Sequence, residues 1–465
     1  MSLIWLATTF GLRRAFRCPS DEAAAIFATQ AYIKYAEQQK CADNEVWRTN
    51  RRFSESQVRF RVRAIDIASA EAAGIEMRRI GVDPAGMALM APKEVFYNLK
   101  IAGLTAPQAN ILKQDAIASG GEAAVAKGVV SCEINFTDAI LSGTVKQLRR
   151  LADKLKAQPY GLPIAGKSIN EALDRLTNRG LAFRGRSRSW DVSKGALVMG
   201  VLNVTPDSFY DGNAYSGKNA AIETALRMAD EGADIIDVGG ESSRPGAIDV
   251  PVEEEIRRVV PVVEELSKRG LAVSVDTVKS RVADLALLAG AEAINDISAM
   301  RRDPLMAGVI KRHGAGVALM HMRGTPKTMQ GETAYEDLMA EIFDYLSERV
   351  EFAEGFGIDR EKIAIDPGVG FAKTSSGCLE IIRRLGELKT IGAPVLIGTS
   401  RKSFIGKTLG GAEAGARLNG ALATISAALL NGADIIRAHD VKETKETILM
   451  IEAIKRFDLR TEGDS

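Results

Sequence analysis

The chain has 465 residues, 46% of them apolar and 26% charged, with a formal net charge of +1. That balance belongs to a globular chain long enough for two or three cores, and its charge gives no reason to expect nucleic acid or an anionic membrane as a partner. The four cysteines, Cys18, Cys41, Cys132 and Cys378, form no C-x-x-C pair. This argues against a disulfide framework or thiolate metal site and favours a reducing, cytoplasmic setting.

The chain opens on MSLIWLATTFGLRRAFR, where a short apolar run is followed, not preceded, by its positive charges, the reverse of a secretory leader. No run approaches the roughly 18 uninterrupted apolar residues of a membrane helix, so no membrane partner is expected. Past a helical lead-in, RFRVRAIDI (59–67), EVFYNLKIAGL (94–104) and TDAILSGT (137–144) read as strands. APQANILKQDAIASGG (106–121) and VKQLRRLADKLKAQP (145–159) read as helices. Residues 1–180 are therefore expected to form an additional N-terminal α/β domain, to which no motif gives a role. Its basic stretch KQLRRLADKLK reads as the solvated face of a helix. GLAFRGRSRSWDVSKG (180–195) is expected to close the bottom of the structure that follows.

From residue 195 onward, apolar β-branched runs alternate with segments of helical period. The runs are ALVMGVLNV (196–204), ADIIDVGG (233–240), LAVSVDT (271–277), EAINDIS (292–298), GVALMHM (316–322), KIAIDPGVG (362–370), PVLIGTS (394–400) and ADIIRAHD (433–440). Between them lie amphipathic stretches such as VEEEIRRVVPVVEELSKRG, and Gly232, Gly270 and Gly432 stand where helices should end. Eight such units predict a (β/α)8 TIM barrel over residues 181–465, since a closed barrel needs roughly 250 residues. Strands apolar on both faces suit a parallel sheet enclosed by helices. An open doubly wound sheet is the alternative, disfavoured because no G-x-G-x-x-G turn follows any run. The tetrapeptide GADI occurs twice, at 232–235 and 432–435, a weak internal echo.

Every run ends in something polar: Asn203, Asp237 with Glu241, Asp276, Asn295 with Asp296, His321, Asp366, Ser400 to Lys402, and Arg437 with His439. In a barrel these ends converge on the face where such folds place their chemistry. One carboxylate there could equally be a helix cap; eight polar ends together are not explained by capping. Asp237, Asp276, Asn295 and Asp366 suit a flat heterocycle with N–H donors and a carbonyl, because carboxylates accept bidentately and an amide both donates and accepts. Arg244, Arg401, Lys402, Arg437 and His439 supply cations for an anion such as diphosphate. SRKSFIG opens a helix whose first amides could take one as well. The loops TPDSFYDGNAYSG (205–217) and ESSRPGAIDVP (241–251) are long for a compact barrel and read as lids. The three histidines share no H-x-H or H-E-x-x-H spacing, which argues against zinc catalysis. Asn203 and Asp211 could help hold Mg2+ beside substrate phosphates. His313 reads as a helix C-terminal residue.

In this order, MGVLNVTPDSFYDG, ADIIDVGGESSRPGA, VSVDTVKSR, AINDIS, MHMRGTPKTMQ, IAIDPGVGFAKT, GTSRKSFIG and IIRAHDV resemble the dihydropteroate synthases, over residues 183–457. The resemblance implies an enzyme of folate synthesis that joins para-aminobenzoate to hydroxymethyl-dihydropterin diphosphate and releases diphosphate, acting as a cytoplasmic homodimer. It implies that Asp276, Asn295, Asp366 and Lys402 hold the pterin, with Asp237 supporting that pocket. Asn203, Arg437 and His439 would hold diphosphate, with Mg2+ near Asn203. Ser243, Arg244, Phe371, Lys402 and Ser403 would frame para-aminobenzoate, and Phe209 and Asp211 would help order the site. Lys402, Asp276, Asp211 and Arg437 are the implied catalytic group, with no covalent nucleophile: diphosphate leaves first and the arylamine traps a pterin cation. Three positions depart from the family pattern. Ser243 stands for a frequent Thr, Ala372 replaces a usual Gly and is expected to crowd the arylamine side, and SSGCLEII after Thr374 alters a helix start. Two alternatives stay open on the residues. One is a barrel moving a methyl group from methyl-tetrahydrofolate to a corrinoid protein, which has no need of TPDSF, SRKSF and R-x-H together. The other is a pterin-binding barrel without turnover.

Overall fold

The computed structural model describes residues 62–67, 69–177, 180–204, 214–242, 249–325 and 327–456. The chain divides into two compact units, Met1–Asp66 and Ile67–Ser465, and the elements below all belong to the second.

Helices α1 (Ala70–Arg79) and α2 (Pro84–Met90) lead into β1 (Phe96–Thr105), α3 (Ala106–Ala118), β2 (Glu122–Val125), β3 (Phe136–Thr144), α4 (Val145–Leu155) and α5 (Leu162–Thr177). The three strands form an antiparallel sheet in the order β1-β3-β2. Residues 62–67, the described part of the expected first strand, lie in no strand; EAAV of β2 takes the third place instead. β1 and β3 each end on a Thr that starts a helix through T-x-x-Q. Thr105 and Thr144 accept from the amides of Gln108 and Gln147, whose side chains return a bond to the Thr amides at 2.8 Å. Leu112, Leu141, Leu148, Leu151, Leu155 and Leu173 fill a core of their own beneath this sheet.

A hairpin of β4 (Ala182–Arg184) and β5 (Ser189–Asp191) precedes the barrel strands β6 (Leu197–Asn203), β7 (Ile235–Gly239), β8 (Val273–Asp276), β9 (Ala293–Asp296), β10 (Gly316–Met320), β11 (Ile363–Asp366), β12 (Leu396–Ile397) and β13 (Ile435–Ala438). Each of the eight expected runs contains one of them. They pair in parallel, β13 returns to β6, and a bridge between Ile365 and Val395 brings β11 to the start of β12, so the sheet closes into a (β/α)8 barrel. The outer helices are α6 (Ala214–Asp230), α7 (Val252–Lys268), α8 (Ser280–Leu288), α9 (Met306–His313), α10 (Leu338–Gly355), α11 (Ser375–Arg384), α12 (Ser403–Thr408), α13 (Leu418–Leu430) and α14 (Val441–Arg456). Gly232, Gly270 and Gly432 follow α6, α7 and α13 at φ of +102°, +80° and +104°, conformations open to glycine. His313 closes α9, as expected, with Nε2 2.7 Å from Asp284. The GADI echo has a structural meaning. Asp234 and Asp434 each accept a backbone N–H from a neighbouring strand, Val198 at 2.8 Å and Val395 at 2.9 Å.

Strand alternation divides the barrel. Val198, Ile236, Val273, Ile294, Val317, Ile363, Ile397 and Ile436 point outward to the helices. Leu197, Met199, Ile235, Ala293, Ala318, Ala364, Leu396 and Ile435 point inward and make an apolar floor. Phe183 of β4 plugs that floor at 1% exposure, stacked on Trp190 at 5.8 Å. Glu292, just before β9, fixes the hairpin turn by accepting from the amides of Ser187 (2.7 Å) and Arg188 (3.1 Å). The segment 180–195 thus closes the bottom, as its sequence predicts.

Candidate active site

Two residues beyond the floor, the inward positions turn polar. Ile235 gives way to Asp237, Ala293 to Asn295, Ala364 to Asp366 and Ile435 to Arg437, and on β8 the floor residue Ala272 is followed at the next two inward positions by Ser274 and Asp276. The same period-two rule that builds the plug therefore delivers these side chains to one end of the barrel interior. Asp296, next to Asn295, falls on the opposite face. It accepts from Ser298 Oγ (2.6 Å) and from the amides of Ser298 and Met300 (2.8 Å each), so it shapes a turn and is no member of the mouth.

The inward groups are wired together. Arg437 spans two carboxylates, donating from Nε to Asp237 Oδ2 at 2.7 Å and from Nη2 to Asp276 Oδ2 at 2.9 Å. Asn295 Nδ2 donates to the same Asp237 oxygen at 3.0 Å, and the other oxygen, Oδ1, is buried with no partner. Lys402 donates from Nζ to the Val369 carbonyl and lies 4.4 Å from the centre of the Phe371 ring. Asp366 accepts from the Gly368 amide at 2.7 Å. Burial pushes the Asp276 carboxyl up to about 7 against the pull of Arg437, and lifts Asp366 against Lys402. Burial also brings the Lys402 ammonium down to about 8, opposed by Asp366. His439 sits at the end of β13 with Nδ1 3.3 Å from Ser400 Oγ, and Ser403, exposed, is the first residue of α12.

Of the residues singled out in sequence, Asp237, Asp276, Asn295, Asp366, Phe371, Lys402, Ser403, Arg437, His439 and Asn203 lie on strand ends or the turns that follow them. Phe209, Asp211, Ser243 and Arg244 lie outside the described residues. His321 differs from its reading as a mouth residue: it is buried at the end of β10, with Nδ1 3.0 Å from Lys373 Nζ. Ala372 is fully buried in the left-handed region at φ +52°, with its carbonyl accepting from Tyr335 Oη at 3.0 Å. Its methyl is enclosed by the protein. Thr374 caps α11 by accepting from the Gly377 amide at 3.1 Å.

Two basic residues near the site fall within the motifs VSVDTVKSR and IAIDPGVGFAKT but have no role assigned from the sequence. Lys279 joins Glu241, Glu255 (2.5 Å) and the Val250 carbonyl (2.7 Å), holding both ends of the loop that contains Ser243 and Arg244. Lys373, almost fully buried, bonds His321 and the Phe371 carbonyl (3.0 Å). Among the described residues, no three acidic, histidine or cysteine side chains gather as a metal cage. Asn203 ends β6 beside Gly239, where even an added Cβ would stay 3.9 Å from the amide oxygen. One accessible amide oxygen fits Mg2+, which keeps its waters and binds chiefly through substrate phosphates.

The family described as pterin binding enzyme matches residues 199–439. Dihydropteroate synthase of Escherichia coli is 46% identical over 259 residues, 55% of this chain and 90% of that protein. A Haloferax volcanii protein named probable bifunctional folylpolyglutamate synthase/dihydropteroate synthase is 39% identical over 345 residues, 72% of this chain; the chain spans only 41% of its length. The solved structure of Xanthomonas albilineans dihydropteroate synthase in complex with 7,8-dihydropteroate superimposes with a TM-score of 0.54 at 38% identity, over 59% of this chain and 98% of the other. The inward ring of Asp237, Asp276, Asn295, Asp366, Lys402 and Arg437 lies within the family match, and the chain belongs to the pterin binding enzyme family, among the dihydropteroate synthases.

Proposed function

We propose that this chain condenses 6-hydroxymethyl-7,8-dihydropterin diphosphate with para-aminobenzoate, giving 7,8-dihydropteroate and diphosphate for folate synthesis. The observation that carries the reading is the inward layer itself: the buried acceptors Asn295 and Asp366 and the partly buried Asp276, directly beside the cations Arg437 and Lys402. A dihydropterin presents N–H donors and a carbonyl on one flat edge, which carboxylates and an amide can pair without leaving buried groups unsatisfied.

In the reaction the bond from the pterin methylene carbon to diphosphate oxygen breaks, and its electron pair leaves on oxygen. The arylamine nitrogen then forms the new C–N bond and releases a proton. Arg437 and His439 face the departing charge, Asp276 and Asp366 the cationic pterin, and both contributions grow as charge separates. Asn203 would hold Mg2+, which when bound neutralises charge on the diphosphate. Phe371 and Ser403 form one wall for para-aminobenzoate. Phe209, Asp211, Ser243 and Arg244 are assigned to the loops above it on resemblance alone.

We assign the active form as a cytoplasmic homodimer. Leu430, Leu449, Met450 and Ile454 stay more than half exposed on α13 and α14, which supports self-association through these helices. The test of function is turnover: purified chain with the pterin diphosphate, para-aminobenzoate and Mg2+ should release dihydropteroate and diphosphate in equal amounts. Intact pterin binding without product would overturn it.

A further inference from the structure

The turn after β11 has an unusual backbone. Gly368, Gly370 and Ala372 adopt φ of +69°, +83° and +52°, three left-handed residues at alternate positions. Such a run persists only where its surroundings over-determine it. Here three side chains, two from elsewhere in the chain and one from the end of the turn itself, each capture one of its carbonyls. Lys402 Nζ takes Val369, Lys373 Nζ takes Phe371 at 3.0 Å, and Tyr335 Oη takes Ala372 at 3.0 Å. Lys373 also reaches back across the barrel wall to His321, to Nδ1 at 3.0 Å and to its carbonyl at 3.4 Å. When Lys373 is protonated its ammonium has only donors, so Nδ1 of His321 then accepts and the imidazole proton sits on Nε2; burial brings that ammonium itself down to about 7, with Asp366 opposing. Burial holds that imidazole neutral, down to about 2, which keeps the acceptor available. Three N–H groups thus meet three acceptors, and the buried ammonium is satisfied without a carboxylate in contact.

We infer that Lys373, assisted by Tyr335, is a positioning residue for para-aminobenzoate: it fixes the carbonyl of Phe371 against the end of β10 and so sets the ring of Phe371 against Lys402. The inference rests on the reading of Phe371 as a wall of the arylamine site. Lys373 itself touches no substrate on this account; its effect passes through one aromatic ring.

The test is a double-mutant cycle in the full-length protein, with pterin diphosphate saturating and para-aminobenzoate varied. Lys373→Met should raise KM for para-aminobenzoate roughly tenfold while kcat changes less than about threefold. Phe371→Ala should raise the same KM, and adding Lys373→Met to it should change KM by less than about twofold, because the ring being positioned is already gone. Tyr335→Phe removes a single hydroxyl and should give a smaller rise with the same dependence on Phe371, which keeps the test open should Lys373→Met not fold. Equal KM factors for Lys373→Met or Tyr335→Phe with and without the ring overturn the inference alone. An unchanged KM in Phe371→Ala overturns the assignment of Phe371 as well, and the two failures are thereby separated.

Discussion

Asp276 and Lys402 place opposite demands on the folded protein. The native state holds the Asp276 proton up to about 7, whereas an exposed aspartate gives it up near 3.8. The unfolded chain therefore loses this proton first, and the contribution of Asp276 to stability declines as pH rises through that window. Melting temperature measured against pH should fall from about 4 to about 7 more steeply in wild type than in Asp276→Asn; parallel curves would contradict the buried carboxyl. Lys402 acts with the other sign. Its proton leaves the native state near 8 but the unfolded chain near 10.5, so the native state gains stability as pH rises between them. The same deprotonation removes the cation beside Phe371, and kcat/KM should drop above about 8. Lys402→Ala should lower kcat/KM by roughly 100-fold or more and remain folded, a loss on the scale of removing one preorganised donor. Wild-type rates in that variant would exclude Lys402 from the site.

At the scale of elements, the turn after β11 and the hairpin before β6 make separable predictions. A Cβ on Gly368 would lie 2.1 Å from the His321 carbonyl oxygen, whereas one on Gly370 would lie 3.1 Å from Cδ of the flexible Lys402 chain. Gly368→Ala should therefore cost more than the ~1–2 kcal/mol of left-handed strain that Gly370→Ala incurs, with chemical denaturation as the readout. Equal losses would mean the backbone at Gly368 is not so closely approached. Phe183→Ala should cost about 3–5 kcal/mol by opening the barrel floor, and leave both KM values unchanged because the floor lies below the polar layer. The eight strands were legible because apolar runs break at polar residues. Which member of a polar pair faces inward was not, since strands buried on both faces show no alternation. Asn295 and Asp296 read alike in sequence, and only their places relative to the floor residue Ala293 separate them.

Across the whole molecule, what escaped the sequence is what non-local packing creates. Lys279 reaches carboxylates 38 and 24 positions away, and Lys373 is satisfied by carbonyls and a histidine 52 positions back, so neither leaves a local pattern. The N-terminal α/β elements were visible as strand-like runs and helical segments, yet nothing local excluded residues 62–67 from the sheet in favour of EAAV. The eight strands of the barrel, by contrast, follow from one rule applied eight times, five of them carry an inward polar group, and the functional reading depends on those groups being a single site. A crystal structure with the dihydropterin diphosphate bound tests it most directly. The ring edge should lie within hydrogen-bonding distance of Asp276, Asn295, Asp366 and Lys402 together, with the diphosphate toward Asn203, Arg437 and His439. A pterin bound anywhere else, or one touching only a single strand end, would contradict the account.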